Sequence, residues 1–205
     1  MTQAKLAVPP GRSGRIWLVR RLETARRGAD LLDRRLRILQ AELVRRQAAA
    51  ADAAARWEHC QAEARGWLVR LTFLSGERAV RLAASGQAAD VAVSYETTMG
   101  IRYPARVACS CPPAGTWDGP VAAGCRDAHR AALAAAAQHA AAAAAVAAVD
   151  SEARATRTRL RAIEDRWIPR LERALAEVTF TLEELERADA ARLRLAHAAG
   201  SRARP

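Results

Sequence analysis

Four residues with metal-binding side chains stand in the middle of the sequence, and they are the first candidates for chemistry. Cys109 and Cys111 are separated by one residue, and Cys125 precedes His129 by one helical turn. Structural zinc is bound tetrahedrally by such ligands, so a Cys₃His site is one interpretation. The spacing does not match a standard zinc finger. We therefore expect reduced cysteines at the edge of a loop, with His129 on a helix surface, and neither metal nor cofactor.

Other patterns of catalytic residues give no indication of an enzyme. The sequence has no GxxxxGK[ST] phosphate loop, and no serine, histidine and aspartate stand in an order that suggests a triad. Glu183, Glu184 and Glu186 are grouped beside Arg187, which is typical of a solvated or partner-facing helix surface. We predict that the chain is not an enzyme.

Positive charge is concentrated in the first quarter of the chain. The net charge is +11, and arginine is far more frequent than acid between Lys5 and Arg46. A basic helix of this kind suits nucleic acid, an acidic membrane surface or an acidic protein partner. Trp17 is the one aromatic residue there, which weakens a base-stacking surface. A nucleic-acid-binding coiled coil and a scaffold protein nevertheless remain alternatives at this point.

The termini and the apolar runs bear on localisation. The first fifteen residues lack the apolar centre of a secretory signal, and no apolar run approaches the ~18 residues that cross a bilayer. The alanine-rich tract 131–149 contains Gln138 and His139. We expect a cytoplasmic protein with reduced thiols and no membrane insertion.

Apolar residues at heptad spacing predict two long helices, one toward each end. The N-terminal seam is interrupted only by Arg46, and the C-terminal stripe follows an eleven-residue repeat. A kink is expected at Pro169, since a proline inside a helix removes one hydrogen bond. The N-terminal seam comprises Leu18, Leu22, Ala25, Ala29, Leu32, Leu36, Leu39, Leu43, Ala50, Ala53, Trp57, Cys60, Ala64, Trp67, Leu71 and Leu74; the C-terminal stripe comprises Leu160, Ile163, Trp167, Leu171, Ala174, Val178, Leu182 and Leu185.

The middle of the chain has a different character. Two runs rich in β-branched residues, 91–97 and 101–109, flank Thr98, Met99 and Gly100, which predicts a β-hairpin. We thus expect a mainly α protein in which the N- and C-terminal helices form a long antiparallel coiled coil, with a short β-hairpin and loop inserted between them. Homodimers of each helix would bury the same stripes. The expected organisation is a flexible N-terminus (1–10), an N-terminal coiled-coil region (11–85), the hairpin and loop (86–120), a C-terminal coiled-coil helix (121–199) and a tail (200–205).

Motifs at both ends and at the hairpin resemble one known family. They are PPGRSGRIWLVRRLETARRGADLLDRRLRIL near the N-terminus, Met99-Gly100-Ile101 followed by Pro104, and RAIEDRWIPRLERALAEVTFTLEELERADAARLRL near the C-terminus. Their order and spacing resemble the D subunit, the central rotor axle of the V-type and A-type rotary ATPases and ATP synthases.

The resemblance implies a non-catalytic central-stalk subunit. It would transmit torque between the catalytic hexamer and the membrane ring, coupling ATP synthesis or hydrolysis to proton or sodium transport. Its partners would be the catalytic and regulatory subunits of the hexamer, a small companion subunit and the socket on the membrane ring, which would make it peripheral to the plasma membrane. The choice of ion and the direction of the reaction stay open. The partner contacts would be Arg20, Arg21, Arg26, Arg27, Met99, Gly100 and Pro169.

Overall fold

A computed structural model describes residues 6–83, 87–113 and 119–202, with side chains up to residue 197. It confirms the predicted class: long helices toward both ends and an antiparallel hairpin between them. The expected N-terminal segment 1–10, the N-terminal coiled-coil region 11–85, the hairpin and loop 86–120 and the tail 200–205 each fall partly outside the described residues. The elements are α1 (Gly11–Ala83), β1 (Asp90–Thr98), β2 (Ile101–Ser110), α2 (Pro120–Ala162), a π turn (Ile163–Trp167) and α3 (Ile168–Arg202).

The chain divides into two compact units. One, the terminal unit, combines Met1–Leu36 with Ala155–Pro205, and the other, the central unit, is Arg37–Arg154. Alanine, leucine and arginine, which have high helix propensity, dominate the helices of both.

In the terminal unit, the beginning of α1 packs against α3. Leu18, Leu22 and Ala25 form a buried cluster with Leu171 of α3. Two ion pairs join the helices, Arg12 to Glu186 at 2.8 Å and Arg26 to Glu172 at 2.7 Å. Because residue numbers rise along α1 as they fall along α3, the two segments are antiparallel within one chain, as predicted.

The central unit is held by α1 and α2. Leu71 and Ala79 of α1 form a second buried cluster with Ala122 and Cys125 of α2. Farther along the same pair of helices, the rings of Trp57 and His139 stack with centroids 5.3 Å apart. The alanine-rich α2 thus contacts α1 through small side chains and one aromatic pair.

The heptad seams hold along most of their length and fail at their ends. Leu71 is 2% exposed, whereas Leu74, the last residue of the predicted N-terminal seam, is 66% exposed. Gly76 interrupts α1 with φ 72° and ψ 170°, a backbone conformation that glycine adopts without a steric penalty. Leu185, the last residue of the C-terminal stripe, is also exposed. It lies beside the Arg12–Glu186 pair, where α1 begins.

The helix around Pro169 continues through a π turn. Ile168 donates its backbone N–H to the carbonyl of Ile163, five residues back. In a regular α-helix the ring of Pro169 would crowd the carbonyl of Asp165, four residues earlier. The wider turn lies immediately before the proline and accommodates it without ending the helix.

The hairpin pairs β1 with β2 in antiparallel register from Asp90–Ser110 to Thr98–Ile101. A bulge lies where Ser94 opposes Arg106 while Tyr95 opposes Pro104, which leaves Ala105 as the extra residue of β2. Proline is tolerated in a strand at such positions.

Part of the helical stretch Pro120–His197 is long and apolar enough to cross a membrane by length and composition. An 18-residue window has a mean hydropathy of 1.6 and is 11% buried. On that measure, the expectation that no apolar run approaches this length is wrong. Alanine raises the mean hydropathy there without supplying bulky apolar side chains.

Candidate functional site

Arg46, the residue that interrupts the predicted heptad seam, anchors the hairpin to α1. Its guanidinium donates a hydrogen bond to the Tyr103 hydroxyl at 2.7 Å and lies 4.3 Å from the centroid of that ring. The hydroxyls of Thr98 and Tyr103 share a further hydrogen bond of 2.8 Å. Tyr103 is 2% exposed. Arg46 can occupy an otherwise apolar seam position because Tyr103 of β2 covers it and accepts its hydrogen bond.

Glu42 holds Arg46 from the other side. Its carboxylate accepts a hydrogen bond from Arg46 Nε at 2.8 Å and also pairs with Arg45. The hydrogen bond from Arg46, followed by that from Arg45 and by the charge of both, lowers the pKa of Glu42 below its ordinary value of 4.5. The carboxylate is thus ionised at neutral pH and fixes the guanidinium against Tyr103.

The tip of the hairpin is a two-residue turn at the place where the sequence predicts it. Thr98 pairs with Ile101, and the two residues between them have positive φ, 52° at Met99 and 82° at Gly100. Positive φ at both central positions is characteristic of a type I′ turn, whose twist matches that of the strands. Met99 is partly exposed at this tip.

The four arginines of the predicted contact surface are all exposed on α1 within the terminal unit. Arg26 is paired with Glu172 of α3, and the Arg21 guanidinium lies 5.7 Å from the Trp17 ring centroid. Arg20 and Arg27 stand seven residues apart, so they lie on nearly the same face of the helix.

Cys111, Cys125 and His129 line one cleft of the central unit without forming a ligand set, and Cys109 is not part of its lining. His129 Nδ1 lies 2.8 Å from the Cys125 carbonyl and 3.6 Å from its sulfur. A cleft of 320 Å³ here is bounded in part by Leu71, Cys111, Cys125 and His129. In the described ranges, no three His, Cys, Asp or Glu residues are placed to hold a metal ion. Burial raises the pKa of the Cys125 thiol above its ordinary value.

Comparison with known families decides what kind of chain this is. The family model of the ATP synthase D subunit matches residues 16–198, nearly the whole sequence. The chain belongs to the ATP synthase D-subunit family. No curated protein sequence matches it.

Membership of the family gives this chain a coarse role. The family supplies a stalk subunit of V/A-type rotary ATPases, with roles in ATP synthesis and ion transport. The matched range contains the buried cluster of Leu18, Leu22, Ala25 and Leu171 and the whole hairpin, whereas Arg12 of the ion pair with Glu186 precedes it.

Sequence reasoning missed the contact that positions the hairpin of this D subunit. In the heptad pattern, Arg46 is only an interruption of an apolar seam. The signal that could have found its role is the tyrosine of the second strand, Tyr103, together with an acidic residue four positions before Arg46. An acidic side chain and a tyrosine hydroxyl can together bind a guanidinium group. Which strand residue reaches α1, however, depends on the tertiary fold.

Proposed function

We propose that this chain is the non-catalytic central-stalk rotor of a V/A-type ATPase or ATP synthase. It transmits torque between the catalytic hexamer and the membrane ring, and so couples ATP synthesis or hydrolysis to ion transport. It lies in the cytoplasm, peripheral to the plasma membrane, and stays outside the bilayer.

The observation that carries this proposal is the antiparallel pairing of α1 with α3 in a chain of this family. Fourteen residues separate Arg12 from Arg26, and fourteen separate Glu172 from Glu186, so the two ion pairs keep one register over two heptads. Exposed pairs of this kind contribute little stability. Their value here is geometric, because a shared register resists sliding of one helix along the other when torque is applied.

The exposed arginines are the proposed contacts with the hexamer. Arg20 and Arg27 present positive charge on one face of α1, which suits an acidic wall of the surrounding subunits. In this proposal, the hairpin tip at Met99 and Gly100 faces the companion subunit and the socket. Pro169, with its π turn, sets the path of α3 along α1.

Stoichiometry tests the rotor function directly. The affinity-tagged chain is co-expressed with the hexamer, companion and ring subunits, and the purified complex is weighed by native mass spectrometry. We expect one copy of this chain per hexamer, and no ATP hydrolysis by the chain alone. Two or more copies per hexamer, or a chain that never joins the hexamer, contradict the proposal.

Matched charge reversals test the contact surface. Arg20→Glu with Arg27→Glu should weaken retention of the hexamer by about tenfold or more, since each like-charge contact replaces an attractive one. The control, Arg102→Glu with Arg106→Glu on β2, changes the charge equally and should leave hexamer retention unchanged. Equal loss in both variants would show a general charge effect and defeat the assignment of these arginines.

A further inference from the structure

A second heptad stripe runs along α1 within the central unit, on a face turned by about 150° from the buried seam. Its positions alternate in steps of four and three, as in the seam itself. All of them are exposed, whereas Ala53, Ala64 and Leu71 in the seam are buried. The apolar residues of this outer stripe are Val44, Ala48, Ala51, Ala55, Ala62 and Val69.

The ends of the outer stripe carry large apolar side chains that a solvated helix would not need. Val44 and Val69 are 66% and 67% exposed, and Phe73, one turn beyond Val69, is 88% exposed. Phe73 is one of only two phenylalanines in the chain. Exposed apolar side chains aligned in one row indicate an interaction surface more strongly than the same residues scattered singly.

The small residues between the two ends of the stripe indicate which secondary structure could bind there. Alanine at Ala48, Ala51, Ala55 and Ala62 leaves a shallow groove in which another backbone approaches closely. A straight row at heptad spacing matches the side-chain rows of a helix and not the two-residue period of a strand. The stripe from 44 to 69 is about 38 Å long at 1.5 Å per residue, room for about seven turns of a partner helix.

Two charges fix the chemistry and register of that helix. Glu58 and Arg65 occupy stripe positions and are exposed, and neither makes an ion pair or side-chain hydrogen bond within residues 6–83, 87–113 and 119–197. A docked helix needs a basic residue facing Glu58 and an acidic residue one heptad away facing Arg65. The same two charges disfavour burial of the stripe in a lipid layer.

We propose that the outer stripe binds an amphipathic helix of another subunit, one with a small-residue apolar face that carries a basic and an acidic residue seven positions apart. This rests on the proposed function, because one copy per complex leaves the stripe to a different chain. An antiparallel second copy would also bring Glu58 near Arg65, so self-association is the competing outcome.

Site-specific photo-crosslinking tests the proposal in the assembled complex. Benzoylphenylalanine replaces Ala62 in the full chain, and the control carries it at Ala144, an exposed alanine of α2 in the same unit. We expect position 62 to crosslink to one other subunit at about ten times the yield of position 144, as for a buried interface centre. A crosslink between two copies, or equal yields at both positions, overturns the proposal.

Variants at the stripe provide an independent measurement. Ala62→Arg keeps helix propensity but fills the groove, and it should reduce retention of the crosslinked subunit by about tenfold or more. Ala144→Arg is the matched control and should retain it. If the hexamer copurifies but retention of every subunit is unchanged by Ala62→Arg, the stripe proposal fails and the rotor function stands. If position 62 crosslinks a helix while no hexamer is bound, the rotor function fails instead.

Discussion

Replacing Arg46 with leucine gives opposite predictions from the heptad pattern and from the structure. Leucine would complete the apolar seam of α1, and pattern alone predicts a more stable helix pair. In the structure, the change removes the hydrogen bond to the Tyr103 hydroxyl and the contact of the guanidinium with that ring. We expect Arg46→Leu to destabilise the hairpin.

The magnitude follows from these contacts. A hydrogen bond from a charged donor contributes about 1.5–3 kcal/mol, and the contact of the cation with the aromatic face about 0.5–2 kcal/mol. Fully burying a leucine side chain contributes about 1.5–3 kcal/mol. The leucine at this position would gain only part of that amount, because the Arg46 side chain it replaces is already only 29% exposed. The expected net loss is about 1–2 kcal/mol in the free energy of opening the hairpin.

Amide hydrogen exchange across β1 and β2 measures that opening locally, because protected amides report the free energy of the unit that opens. A double-mutant cycle with Tyr103→Phe isolates the hydrogen bond to the hydroxyl, because phenylalanine keeps the ring, and it should give a coupling of about 1 kcal/mol. The reasoning is refuted if Arg46→Leu slows exchange in the strands, or if the coupling is indistinguishable from zero.

Three further changes test other contacts. A methyl group at Gly124 would lie 2.7 Å from a ring carbon of Trp67, so Gly124→Ala should lower the urea midpoint by an amount equivalent to about 1–2 kcal/mol. The control, Gly66→Ala, places its methyl group with no atom within 4 Å and should raise the urea midpoint. Similar shifts in both variants would show that the Trp67 ring is not confined. The pKa of Glu42 is lowered, so its contribution to stability is present above its ordinary value of 4.5 and is lost as pH falls through the folded pKa. Glu42→Gln should therefore make the urea midpoint less dependent on pH below 4.5, and an unchanged pH profile contradicts this. Burial raises the pKa of the Cys125 thiol, so at about pH 8 iodoacetamide should modify it at least about tenfold more slowly in the folded chain than in urea. Peptide mass spectrometry measures the two rates, and equal rates would show that the thiol is not buried.

The spacing of apolar residues and the local composition were sufficient to predict the helices and the hairpin, because both are properties of short stretches of sequence. The steps of three and four from Leu18 to Leu71 require a helix with one apolar face, whatever covers that face. Residues with positive φ are needed in a two-residue hairpin turn, and Gly100 supplies one of them. The π turn before Pro169 could not be deduced in the same way, because a kink, a break and a widened turn all relieve the same steric crowding.

The sequence by itself determined the helices, the hairpin and the family, since each depends on residue types at fixed spacing along the chain. Only the tertiary structure decided what lies against each face. It placed Arg46 against Tyr103, left Leu74 and Leu185 exposed at the ends of their seams, and left a second stripe uncovered on α1. The physical reason is that periodicity states which side chains share a face, whereas burial depends on which distant segment arrives there.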